Sequence, residues 1–308
     1  MASFIKALPG NEERGRARGN GGPSWQRPFA MPLSENALSA PETAVVPAAG
    51  WGTRLRPLSD TIPKELLPLG RRVVLEHILV ELATARLSRV VFVVSPAKES
   101  LIRNRFGSKS EGLCIDYALQ SEMRGLGDAV LQTAPLLSGE SGFFVALGDA
   151  VFVEAEPGAI ARRLLTGSEP IAIAVQKVAK EKLSRYGVVK PIDSADIVRF
   201  TIDGIVEKPA PEDAPSDFAV AARYRLPATI FESLRAVVPD ARGEIHLTGA
   251  IAALLTAGVP GVAVPLQSGE ARHDIGNFET YWRAFVTFAL ADPEHGDGLR
   301  RFLEEVNP

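Results

Sequence analysis

From Thr43 onward the apolar residues follow two rhythms. The runs "TAVVPAAG", "RVVFVVS" and "GFFVALGDA" are apolar at consecutive, often β-branched positions, the pattern of strands buried on both faces. Between them, "VVLEHILVELATAR" sets Val74, Leu75, Ile78, Leu79 and Leu82 at helical spacing. "KESLIRNRF" and "GLGDAVLQTAPLL" read as further helices and "CIDYALQ" as a strand, within which Cys114 is expected to be a small buried hydrophobe. Such alternation predicts a parallel sheet with crossover helices on both sides.

After Asp149 the rhythm changes. "PIAIAVQKV", "YGVVKPI", "IVRFTIDGIVEKP" and "FAVAARYRL" follow one another as strands, mostly without helices between them. An antiparallel or mixed extension of the sheet is expected in the second half of the chain. "ATIFESLRAVV" and "EIHLTGAIAALLTAG" return to helical period, "VAVPLQ" is a last strand, and "NFETYWRAFVTFAL" and "GLRRFLEEV" are closing helices. Residues 43–308 therefore read as one continuous α/β domain. Residues 1–42 are rich in Gly, Arg and Pro without periodicity, and are expected to form a flexible tail.

Charge narrows the function classes. Lys and Arg number 34 against 37 Asp and Glu, a balance that argues against a general nucleic-acid or membrane-surface binder, so any bound anion must be held locally. One cysteine excludes an internal disulfide, and the four histidines show no metal-ligand spacing. No apolar run reaches the roughly 20 residues that span a bilayer, and the N-terminus lacks a secretory apolar stretch. A soluble, cytoplasmic protein is expected.

The densest chemistry lies in "VVPAAGWGTRLRPLSDTIPKELLPLG", where a strand runs into a loop. Open α/β sheets bind ligands at such carboxyl ends. Gly50 and Gly52 leave the backbone free to adopt positive φ and to approach a ligand. Successive backbone N–H groups there can cradle an anion. Thr53 adds a hydroxyl, Arg54 a guanidinium fork suited to phosphate, and Lys64 a second cation behind Pro63. A Walker loop is absent, and the dinucleotide fingerprint fails at Leu55, which disfavours a nicotinamide-dependent dehydrogenase. Taken singly, the other candidates have structural readings: Asp149 as a turn or capping aspartate, Asp274 in "RHDIGN" as a helix cap, Glu207 and Lys208 in "GIVEKPA" as an exposed pair, Gly187 as a turn glycine, and Gln120 as a surface residue before a glycine-bearing helix start.

Together these motifs, in this order from about residue 43 to the C-terminus, resemble the sugar-1-phosphate nucleotidylyltransferases, most closely the members that join UTP and glucose-1-phosphate. The resemblance implies a Rossmann-like mixed, mainly parallel sheet flanked by helices. It implies that Ala49, Gly50, Gly52 and Thr53 wrap the triphosphate with Arg54 and Lys64, and that Gln120 and Gly125 read the base. Gly187, Glu207 and Lys208 would hold the sugar phosphate, and Asp149 with Asp274 would coordinate Mg²⁺. It further implies direct in-line displacement to UDP-glucose and pyrophosphate, in an enzyme expected to be a homo-oligomer. "GEIHLTGAI" resembles a family motif but suggests only a capped amphipathic helix. Departures from the uridylyltransferase pattern stand at Gly148, Asp128 and Gly249, and the stretch from Phe106 to Cys114 is short. A thymidylyl- or other nucleotidylyltransferase, and a non-catalytic sugar-nucleotide-binding regulatory paralogue, are the alternatives.

Overall fold

The computed structural model describes residues 41–192 and 198–306. The N-terminal segment read above as a tail therefore lies, up to residue 40, outside the described residues.

Consecutive apolar runs form the centre. β1 (Thr43–Pro47) enters the loop that carries the glycine motif. A two-strand ribbon, β2 (Pro68–Leu69) with β3 (Arg72–Val73), then leads into α1 (Val74–Thr84), β4 (Arg89–Val94), α2 (Pro96–Phe106), β5 (Lys109–Ser110) and β6 (Leu113–Leu119). α3 (Gly125–Leu131) and β7 (Gly142–Ala146) complete the first half. β1 lies parallel to β4 and β7, and β4 parallel to β6, as strand–helix alternation predicts.

The second half contains β8 (Ala150–Val153), α4 (Ala159–Leu165), β9 (Ile171–Lys177), β10 (Gly187–Pro191), β11 (Phe200–Glu207) and β12 (Phe218–Pro227). α5 (Ile230–Ala236), α6 (Leu247–Thr256), β13 (Gly261–Pro265), β14 (Ala271–Asp274), α7 (Phe278–Leu290) and α8 (Gly296–Val306) follow. β12 runs antiparallel to β7 and β9 and joins the halves into one ten-stranded sheet, in the order β10-β11-β13-β9-β12-β7-β1-β4-β6-β5. The antiparallel extension is present, though β13 returns parallel to β9.

Period-two alternation divides the core between the two faces. Val46, Phe92 and Phe144 pack with Leu75, Ile78, Ile102 and Leu164 of α1, α2 and α4. Their neighbours Val45, Val91 and Phe143 pack on the other face with Val130, Leu234 and Ile251 of α3, α5 and α6. The same alternation corrects the reading of Cys114: in β6, Leu113 and Ile115 point inward, so Cys114 faces solvent. The ribbon β2–β3, strand β5 and two further features escaped the periodicity. One is α4, two turns long. The other is the antiparallel pair β8–β14, which sets Asp274 opposite Ala150. Among the described residues no helix is long and apolar enough to cross a membrane.

Candidate active site

Two chambers open at the carboxyl end of β1 and meet at Asp149. The first, about 320 Å³, is lined by Ala49, Gly50, Trp51, Lys64, Gln120 and Gly125 among others. The loop that builds it is drawn tight. Gly52 takes φ 65°, a conformation that favours glycine, and Ser59 Oγ donates to its carbonyl at 2.8 Å. Gly50 needs no such conformation; a Cβ there would meet no atom within 4 Å, so its use is open space beside the backbone.

Beneath the loop lies a pair that sequence reasoning missed. Lys98, from α2, donates to the carbonyls of Ala48 (3.2 Å) and Gly50 and to both carboxylate oxygens of Glu65 (3.0 and 2.8 Å). Both side chains are buried. Burial lowers the Lys98 ammonium against the pull of Glu65, and burial raises the Glu65 carboxyl. Each partner opposes the effect of burial on the other, and the pair ties the loop to α2. The signal was a lysine in the first turn of a helix after a buried strand, which is common on solvated faces.

At the base of the chamber Gln120 is buried rather than superficial. Its Nε2 donates to Gly125 O (3.1 Å) and Asp128 Oδ2 (2.8 Å), while Gln132 Nε2 donates to Asp128 Oδ1 (3.1 Å). Both amide hydrogens of Gln120 are therefore spoken for, and only its carbonyl oxygen is left for a ligand. Gly125, at φ 91°, admits the backbone of Ile245, whose carbonyl would lie 2.9 Å from a Cβ.

Lys64 spans the boundary. Its Nζ lies 2.5 Å from Asp149 Oδ2. Burial alone would depress Lys64, but Asp149, Glu65 and Asp274 together outweigh it and the ammonium is held above the ordinary lysine range. Burial alone would raise Asp149, yet Lys64 brings its carboxyl below the usual carboxylate range. Asp274 is held up, first by burial and then by the charge of Asp149. The two aspartates are thus near enough for the charge of Asp149 to oppose the ionisation of Asp274. Ile275 N donates to Asp149 O at 2.8 Å, which fixes the two turns together. Neither aspartate caps the following helix: α7 is capped by Asn277, which accepts from Thr280 N. Arg54 approaches the same turn, its Nη2 within 3.4 Å of where a Gly276 Cβ would lie. Thr53 and Arg54 stand exposed at the rim and line neither chamber.

The second chamber, about 220 Å³, is lined by Tyr186, Gly187, Glu207, Thr248, Arg272 and Asp274, with Asp149 at the shared wall. Thr248 Oγ1 donates to Glu207 Oε2 at 3.0 Å. A regular strand would send Glu207 and Lys208 to opposite faces, but β11 ends at Glu207 and Lys208 takes φ 46°. Its Nζ folds back to 3.2 Å from Glu207 Oε1 at the rim, with half of its side chain exposed and outside the lining proper. Another unforeseen residue, fully buried Arg223, forks Glu81 of α1 at 2.7 Å twice and donates to Ala150 O at 3.0 Å. It thereby pins the start of β8 beside Asp149.

The sequence model of the family described as "Nucleotidyl transferase" matches residues 43–289. The chain is 32% identical over 286 residues to "UTP--glucose-1-phosphate uridylyltransferase 1" of Streptococcus pyogenes serotype M3, covering 84% of this chain and 92% of that one. Among solved structures it resembles a UTP-bound UGPase from Acinetobacter baumannii at 27% identity, with a TM-score of 0.77 over 87% of this chain and 100% of the other. It also resembles a UDP-glucose pyrophosphorylase complexed with UDP-glucose, at 29% identity and a TM-score of 0.73 over 80% and 98%. With its glycine loop, its joined chambers and a family match across most of its length, the chain belongs to the nucleotidyl transferase family of enzymes.

Proposed function

We propose that the chain transfers a uridylyl group from UTP to glucose-1-phosphate, giving UDP-glucose and pyrophosphate. The observation that carries this reading is the meeting of two chambers at Asp149. One offers a glycine loop, a lysine and a buried glutamine acceptor; the other offers Glu207, Gly187 and a cation-lined floor. The relatives named above support it through the ligands of the two complexes, UTP and UDP-glucose.

In the reaction a non-bridging oxygen of the sugar phosphate attacks the α-phosphorus of UTP. A new P–O bond forms, the bond from Pα to the bridging oxygen of the β-phosphate breaks, and its electron pair leaves on pyrophosphate. The nucleophile is already an anion, so no general base is needed; the enzyme positions two like-charged reactants and disperses charge. Ala49, Gly50, Gly52 and Thr53 wrap the triphosphate, and Arg54 and Lys64 receive charge on the departing pyrophosphate. Gln120 presents its carbonyl oxygen to the N3–H of the base beside Gly125. Gly187 gives the sugar ring room, Glu207 takes its hydroxyls, and Lys208 closes over its phosphate from the rim. A catalytic domain spanning 43–308, set in the cytoplasm, belongs to the same proposal.

Enzymes of this family generally use a divalent metal. Asp149 and Asp274 fit Mg²⁺: both are carboxylates, they share one pocket wall, and the charge of Asp149 opposes the ionisation of Asp274. The ion would withdraw charge from the α-phosphate. Lys64 acts as counter-ion to Asp149 until phosphate competes for its ammonium.

The test is a pyrophosphate-release screen of UTP, dTTP, CTP, GTP and ATP against several sugar-1-phosphates, with and without Mg²⁺. UTP with glucose-1-phosphate should be fastest. The nearest competing reading is dTTP, because thymine offers the same N3–H to Gln120. Self-association has a surface available in Trp282, Phe285 and Phe302, exposed on α7 and α8; light scattering on the purified chain decides it.

A further inference from the structure

Two arginines are buried near Asp149, and their surroundings differ. Arg223 has its fork filled by Glu81 and two main-chain carbonyls. Arg272, in β14, has a side chain only 9% exposed, and among the described residues its one ion pair is Nη2 to Asp274 Oδ2 at a long 3.8 Å. Its guanidinium carbon lies 5.1 Å from the centroid of the Tyr186 ring. Its Nε is buried with no hydrogen-bond partner among the described residues. A buried cation with a vacant donor is costly unless an anion completes it. Arg272 lines the chamber of Gly187 and Glu207 and a further cavity beside Gln176 and Gln267, but not that of the glycine loop. It offsets the carboxylates Asp149, Asp274 and Glu207 of the same lining, which Arg185 and His246 also share.

We propose that Arg272 holds the phosphate of the sugar-1-phosphate: its fork receives the non-bridging oxygens and aligns the one that attacks Pα, with Lys208 closing from the rim. The assignment rests on the reaction proposed above. It adds a ligand-contacting residue from β14, two positions before Asp274, so one short strand carries both a carboxylate and the cation that offsets it.

The test compares wild type with Arg272→Gln and Arg272→Lys. Losing a charge-assisted fork should raise KM for glucose-1-phosphate about 10- to 100-fold and leave KM for UTP within about twofold. Arg272→Lys should fall between, since it keeps the charge and loses the fork. Equilibrium binding is measured in parallel. UDP-glucose carries the phosphate that Arg272 would hold and UMP does not, so Arg272→Gln should weaken UDP-glucose by the same factor and leave UMP unchanged. Equal loss for UMP, a matching rise in KM for UTP, or a glutamine variant that behaves as wild type would overturn the assignment. Failure of the reaction itself looks different: wild type would then release no pyrophosphate from UTP and glucose-1-phosphate. The binding pair still judges Arg272 in that case, and wild type binding UDP-glucose no better than UMP would overturn it.

Discussion

The two chambers differ in how they are written along the chain and in how their charges are settled. The glycine-loop chamber takes Ala49, Gly50, Trp51 and Lys64 from the loop after β1, and most of the rest of its wall from two further stretches, Gln120 to Ala129 and Leu147 to Asp149. Its buried cation, Lys98, is saturated by Glu65 and two carbonyls, and Lys64 is paired with Asp149. The other chamber gathers Gly187, Glu207, Thr248 and Arg272 from four separate elements, and among the described residues Arg272 has one long ion pair, to Asp274, and an Nε without a partner. A wall whose cations already have carboxylate partners is braced before any ligand arrives. A wall assembled from distant strands keeps its binding capacity for the ligand that joins them.

Breaking the brace should have the largest effect. Lys98→Met leaves Glu65 buried without a partner, and should lower unfolding free energy by about 3–5 kcal/mol in a denaturant titration. Adding Glu65→Gln should recover most of that loss while KM for UTP stays raised, because the carbonyls of Ala48 and Gly50 remain untethered. Recovery of both would reduce the pair to packing.

The shared wall comes next. Asp149→Asn and Asp274→Asn should each reduce kcat about 10²–10³-fold; Asp149→Asn should also lower the thermal midpoint, because it removes the partner of Lys64, while Asp274→Asn leaves it little changed. Chelation should stop pyrophosphate release by wild type, and added Mg²⁺ should restore it. Metal-independent turnover in wild type would remove the reason for the aspartate pair.

At the rim, Lys208→Ala should cut turnover by about 10-fold, the scale of one charge-assisted contact, and leave UTP binding intact. Equal loss of both would move Lys208 out of the sugar chamber. The smallest effect is expected at Asp128→Ala. Gln120 would lose the acceptor that orients its amide, and the kcat/KM preference for UTP over CTP should narrow about fivefold, near 1 kcal/mol. An unchanged preference would mean that packing against Gly125 alone sets the amide.

Much of the site could be read before folding because its residues are close in sequence or end recognisable strands. The run from Gly50 to Lys64 is legible as a loop after a buried strand, and Asp149 as a carboxylate following another. The roles proposed for Asp149, Asp274 and Glu207 rested on resemblance, since a lone aspartate in such a turn usually serves as a cap; before α7 that part is taken by Asn277. Lys98, Arg223 and Arg272 were not legible. Each is an ordinary basic residue in its local pattern, and its importance comes from the partner it meets, or lacks, far away in the chain.

Periodicity alone determined the alternation of strands and helices, the antiparallel second half and the loop at the end of β1, because side-chain spacing reports which face of each element is buried. Which cation would be saturated and which left open was decided only in three dimensions. β8 and β14 had to pair before Asp274 could oppose Asp149, and burial had to strip water from Arg223 and Arg272 alike before the carboxylate of α1 could satisfy one and not the other. Desolvation and long-range pairing depend on where elements pack, and no local pattern encodes that.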